Sequence, residues 1–271
     1  MRAFISAVMA LVAVPATALV SGPSMAADPL PESVPVPESV SYRDIVIDIG
    51  AGVGYEPVFP SSKRYGPTGW PLIALQYLRL PVFGEVVTED KKAVSFAVFP
   101  SFNFVGERKS SDAHYLDGID DTDLSFEFGG GASFRYGFLR AFADVRYGIT
   151  GHNGFVGEAG IDVLMNPIDR LTLAVGPRIS AADAQYMDYY FSVPNSAEEL
   201  EPYNASGGFK DVSLAATATY ELTEKWRLHG RVKYTHFIGD ALDSPIVEAG
   251  NDQEISVGIG LTYRFSLDLG Y

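Results

Sequence analysis

The chain has 271 residues, of which 47% are apolar; 34 acidic side chains against 20 basic ones give a net charge of −14, and there is no cysteine. That balance excludes a nucleic-acid binder, which needs a basic footprint, and the apolar content excludes a disordered chain. Charged residues make up only 20%, fewer than a fully water-exposed surface carries and suited to one that faces lipid.

The first 26 residues read as a signal peptide. Arg2 supplies the positive end, Ala3 to Val20 the apolar stretch, and Ser24-Met25-Ala26 the small residues before cleavage. No cysteine follows, which excludes a lipoprotein. Residues 27–42 form a proline-rich leader on the periplasmic side, in which Pro31-Glu32-Ser33-Val34 recurs as Pro37-Glu38-Ser39-Val40. Prolines so dense favour an extended, polyproline-like tether.

From residue 43 to 271 the hydrophobic period is two. Ile45, Ile47, Ile49, Ala51, Val53 and Tyr55 alternate with polar residues and glycines. At the far end Val257, Ile259, Leu261, Tyr263, Phe265, Leu267, Leu269 and Tyr271 alternate with Ser256, Gly258, Gly260, Thr262, Arg264, Ser266, Asp268 and Gly270. Chance gives a chosen window that regular about once in 10⁵. The pattern predicts strands over 43–56, 69–80, 93–106, 123–136, 138–149, 154–165, 171–182, 209–222, 226–238 and 253–266. No apolar run after the signal is long enough for a membrane-spanning helix.

A soluble β-sandwich also alternates. Here the strands are long enough for a tilted membrane crossing, aromatics gather near strand ends, and short and long connections alternate. The short ones lie near Gly137, 166–170 and 223–225; the long ones are 57–68, 107–122, 183–208 and 239–252. With the N-terminus periplasmic, every long excursion falls outside. The expected fold is all-β: a closed antiparallel transmembrane β-barrel of about ten strands in a bacterial outer membrane, with short periplasmic turns and long outer loops. Residues 81–92 are long for a turn, and a further hairpin there makes the count twelve.

Chemical motifs are sparse. Gly50-Ala51-Gly52-Val53-Gly54 lacks the third-glycine spacing and the following helix of a dinucleotide loop. The acidic run from Asp117 to Asp123 does not match a calcium loop. His114, His152, His229 and His236 are scattered, with no metal-ligand or triad spacing. No enzyme activity, cofactor or metal is expected.

The lumen face is more informative. By period, Glu127, Arg135, Arg140, Asp144, Arg146, Glu158, Asp162, Arg178, Arg227 and Arg231 point inward. Mixed charges in a narrow barrel either pair and fill it or line a small solute path. In the longest outer loop, Tyr186, Tyr189, Tyr190 and Phe191 either form an exposed adhesive patch or fold back as a plug. Outer-membrane lipid and lipopolysaccharide are the immediate surroundings of such a barrel.

Several segments resemble the MipA/OmpV family of MltA-interacting outer-membrane proteins. They are Gly52-Val53-Gly54-Tyr55-Glu56-Pro57, Gly176-Pro177-Arg178 leading to Tyr186-Met187-Asp188-Tyr189-Tyr190-Phe191, the stretch from Tyr203 to Val212, and Gly239-Asp240-Ala241-Leu242-Asp243-Ser244-Pro245-Ile246-Val247. The resemblance covers roughly residues 44–265. It implies a non-enzymatic scaffold between a lytic murein transglycosylase and a penicillin-binding protein in cell-wall turnover, acting through the leader, the periplasmic turns and residues 81–92. Other members are linked to osmotic response, adhesion or antibiotic uptake, so a narrow pore and a surface adhesin stand as alternatives. Relatives tend to stop near the equivalent of Phe265, whereas this chain continues for six residues.

Overall fold

The computed structural model describes residues 44–80, 84–87 and 94–268. The signal peptide, the leader, most of 81–92 and the last three residues, Leu269 and Tyr271 among them, lie outside the described residues.

Eleven strands form one sheet: β1 (Ile45–Pro57), β2 (Tyr65–Leu80), β3 (Gly84–Val87), β4 (Val94–Val105), β5 (Ser125–Tyr136), β6 (Leu139–Gly148), β7 (Phe155–Met165), β8 (Leu171–Ala182), β9 (Gly208–Glu221), β10 (Trp226–Phe237) and β11 (Gln253–Leu267). Ten are long and β3 is a four-residue strand inside the stretch that the sequence left ambiguous. The spatial order is β3-β2-β1-β11-β10-β9-β8-β7-β6-β5-β4, every neighbour antiparallel, so the first and last strands pair. The sheet curls until β2 and β3 at one edge lie beside β4 at the other. Among the described residues no ladder joins β2 to β4.

The faces of the sheet are inverted relative to a water-soluble protein. Along β6, Leu139, Ala141, Ala143, Val145 and Tyr147 are exposed while Arg140, Phe142, Asp144 and Arg146 are buried. The same holds around the wall, where Phe96, Phe134, Phe155, Ile161, Leu214, Val232 and Ile259 all point out. Charges inside and apolar side chains outside are what a hydrocarbon solvent selects. No described helix is long and apolar enough to cross a membrane.

Two local differences from the sequence reading have physical causes. β2 begins at Tyr65, four residues before the predicted start, because Gly66, Pro67 and Gly69 mimic a loop. An edge strand tolerates such residues, since one side of its backbone has no partner strand to bond. The outer loops also contain short helices that the period-two pattern did not reveal: α1 (Ala184–Phe191), α2 (Gly239–Leu242) and α3 (Pro245–Ala249).

A gap in the β7–β8 ladder falls at Gly176 and Pro177. A Cβ at Gly176 would sit 1.7 Å from the Ile161 carbonyl oxygen, so no other residue fits there without movement. The β7–β8 ladder lapses between Gly160↔Arg178 and Val163↔Val175, where Pro177 has no N–H to donate.

Candidate functional site

Inward-facing charges arrange themselves in clusters dictated by register. Near the periplasmic end Asp48 lies opposite Arg264. It accepts hydrogen bonds from Arg264 Nε at 2.8 Å and Nη2 at 3.0 Å, and from Arg227 Nη1 at 3.3 Å. Arg227 also reaches Glu221 at 3.1 Å. On the other wall Asp162 sits between Arg140 at 2.6 Å and Arg178 at 2.7 Å. The Phe142 ring lies beside them, 4.8 Å from the Arg178 guanidinium carbon. Between the two clusters His229 bonds Thr219 at 3.1 Å and Thr262 at 2.8 Å.

The outer half is built around Glu127. It accepts from Arg146 Nε at 3.0 Å and Asn103 Nδ2 at 3.1 Å, and lies 3.3 Å from His152 Nε2. Arg146 also pairs with Asp144, which accepts from Ser101 Oγ at 2.9 Å. His152 Nδ1 accepts the Gly154 N–H at 3.0 Å. That bond fixes the tautomer: Nε2 carries the proton and donates to Glu127. The Lys233–Glu158 pair, at 2.6 Å, joins β10 to β7, so it spans the lumen instead of following the wall. Lys210 pairs with Asp211, which accepts from Ser180 at 3.0 Å.

Above these groups sits a plug. Asp183 caps α1 by accepting the Tyr186 N–H at 2.9 Å, and its other oxygen accepts the Phe155 N–H at 2.8 Å. Tyr190 donates to Ser125 Oγ at 2.7 Å, and its carbonyl accepts from Arg108 at 2.8 Å. Ser244 Oγ donates to the Phe191 carbonyl at 2.6 Å. The rings of His152, Tyr186 and Tyr190 contact one another in sequence, edge-on at 4.7 Å and tilted at 4.8 Å. Burial pushes the Tyr186 and Tyr190 phenols well above their ordinary value, so both remain neutral. A second apolar layer joins Phe59, Leu116, Ile119, Val193 and Ile246 from four different loops. Beneath the plug remains a cavity of about 100 Å³, lined by Glu158, Arg231, Lys233 and Glu254 and roofed by Tyr186 and Phe191. It has room for about three waters.

Set against the sequence expectations, nine of the ten inward charges are buried in the lumen: Glu127, Arg140, Asp144, Arg146, Glu158, Asp162, Arg178, Arg227 and Arg231. Arg135, the tenth, shares the less exposed parity of its strand. It is half-exposed near the periplasmic turn, where Nε donates to the Gly137 carbonyl at 2.9 Å, because its strand has reached the rim. In the outer loop Tyr186, Tyr190 and Phe191 are buried, and Tyr189 is only partly exposed, bonded through its hydroxyl to the Asp123 N–H. Asp48, Asp211, Lys233, Arg264 and His229 belong to the clusters and were not singled out. Strand parity alone already turned Asp48, Lys233 and Arg264 inward. His152, expected on an outer loop, is there but only 4% exposed. Among the described residues no group of three His, Cys, Asp or Glu could hold a metal.

On the outer surface His114 bridges two loops, with Nδ1 2.8 Å from Asp117 and Nε2 2.9 Å from Glu199. The hydrogen bond to Asp117 and the charge of Glu199 raise its pKa above the ordinary 6.5.

The outer membrane protein Omp26La of Vibrio anguillarum is 30% identical to this chain over 89 residues, a match that spans about a third of each protein. Among solved structures, the translocator domain of the autotransporter NalP from Neisseria meningitidis covers 84% of this chain and 91% of its own, at 10% identity and a TM-score of 0.35. Ail, the attachment invasion locus protein of Yersinia pestis, covers 82% and 99%, at 10% identity and a TM-score of 0.28. The protein is an outer-membrane β-barrel. The model of the family described as MltA-interacting protein MipA matches residues 49–265, and the chain belongs to that family.

Proposed function

We propose that this protein is a non-enzymatic outer-membrane scaffold that docks a lytic murein transglycosylase on its periplasmic side and links it to a penicillin-binding protein. The observation that carries this reading is the family match over residues 49–265, since the family is described by its interaction with MltA. The lumen supports it indirectly. The Lys233–Glu158 pair across the lumen and the plug above it obstruct the outer half of the described lumen, which favours a function at the surfaces. The described periplasmic surface consists of the turns at 137–138, 166–170 and 222–225, where Phe138 and Ile168 stand 64% and 60% exposed.

The test is affinity capture of the mature barrel from cross-linked envelopes, followed by pull-down with purified transglycosylase in mild detergent. Retention of the transglycosylase, weakened by Phe138→Ser or Ile168→Ser, is the expected result. Recovery of neither cell-wall enzyme under both conditions would overturn the scaffold reading.

A further inference from the structure

The edges of the sheet meet in the wall between β2 and β4, and both carry proline in mid-strand: Pro67 and Pro71 in β2, Pro100 in β4. The β1–β2 ladder runs without a shift through Tyr55↔Pro67 and Ala51↔Pro71, and the β4–β5 ladder through Pro100↔Gly130. The N–H groups that proline removes are therefore those directed at the facing edge, not those used inside the sheet. Three fewer donors make a complete β2–β4 ladder unattainable. They also lower the cost of leaving the seam unzipped in hydrocarbon, where every unpaired backbone group is penalised. The same prolines disfavour addition of a strand from another protein.

Just inside this seam β2 turns Trp70 and Leu72 into the lumen, as a separate apolar pair within an otherwise polar interior. Trp70 lies across from Gly52 and Leu72 across from Gly50, and Leu72 packs over Gly260, so glycines on β1 and β11 make room for both. Trp70 is 3% exposed, and its indole N–H has no hydrogen-bond partner among the described residues. A buried donor without an acceptor is costly, and its side chain faces the lumen beside the seam.

We propose that the β2–β4 seam is a lateral portal through which a single-chain amphiphile enters from the bilayer, laying its acyl chain on Trp70 and Leu72 and offering its acceptor head group to the Trp70 N–H. This site is independent of the scaffold reading and of the plugged outer mouth.

The chain has two tryptophans, and Trp226 stands on the outer wall against Tyr263. In a Trp226→Phe protein all tryptophan emission therefore comes from Trp70. Reconstituted in unbrominated phospholipid, that emission is expected to fall saturably as dibrominated stearic acid is added and to recover on competition with plain stearic acid. Vesicles of brominated two-chain phospholipid should leave it largely intact. Adding Pro71→Val and Pro100→Val restores two of the three edge donors, those nearest Trp70 and on β4, so quenching should be lost while the heat-modifiable gel mobility of the folded barrel persists. Emission indifferent to the brominated acid, or quenching that rises linearly and is not competed, would overturn the site. Undiminished, competable quenching in the folded double-valine protein would overturn the portal. If that variant does not fold, the competition measurement on the Trp226→Phe protein decides.

Discussion

Asp162 holds Arg140 and Arg178 at once, and all three side chains are almost wholly buried. Desolvation cancels much of the Coulomb gain of such a cluster, so its presence is weak evidence of stability; removing one member is another matter, because the others are left charged and unpaired. Asp162→Ala is expected to destabilise the barrel by about 3–5 kcal/mol, read from denaturant unfolding in lipid vesicles. An effect below 1 kcal/mol, on the order of a surface pair, would show that water reaches the cluster. His114 presents the opposite case, an exposed ion pair between loops. Its raised pKa means that its contribution is fully present below 6.5 and is lost as pH rises through the folded value. Amide-exchange protection in 107–122 and 196–201, taken relative to the intrinsic exchange rate at each pH, should therefore fall on going from acid to mildly alkaline pH, and His114→Ala should remove that fall.

At the scale of elements, β8 is the strand most exposed to a single error. Gly176 allows the β7 backbone to approach, Pro177 releases the ladder, and Arg178 then reaches Asp162. Gly176→Val is expected to block assembly, seen as loss of the heat-modifiable folded band, whereas Ala216→Val on the outward face of β9 should assemble normally. Strands were legible in the sequence because lipid outside and charge inside impose opposite demands on alternate residues. β6 shows this over its whole length. Where that contrast fades, so did legibility. The start of β2 was hidden by glycine and proline, which the edge position tolerates. The α1 helix is invisible to a period of two, and its aromatics admit a patch beside the favoured plug; Ser125, Arg108 and Ser244 hold the helix down. Parity could place a charge in the lumen, but not say that Lys233 would find Glu158 three strands away.

For the molecule as a whole, plug and lumen are two barriers in series. The plug spans the outer mouth, while the Asp48 and Asp162 clusters occupy the periplasmic half independently of it. Replacing residues 183–207 by a short Gly/Ser linker should therefore leave planar bilayers silent. Conductance steps should appear only when Asp162 and its two arginines are also replaced by small residues. Steps from the loop replacement alone would show that the lower clusters do not seal.

Pairing of β1 with β11 sets a schedule for making this protein. Asp44 donates its N–H to the Leu267 carbonyl, across more than two hundred intervening residues. The opening strand cannot acquire its second neighbour until almost the whole chain has been synthesised and exported. A polypeptide that ends before β11 thus leaves β1 unpaired on that side. Completion of the wall doubles as a check that translation reached its final strand.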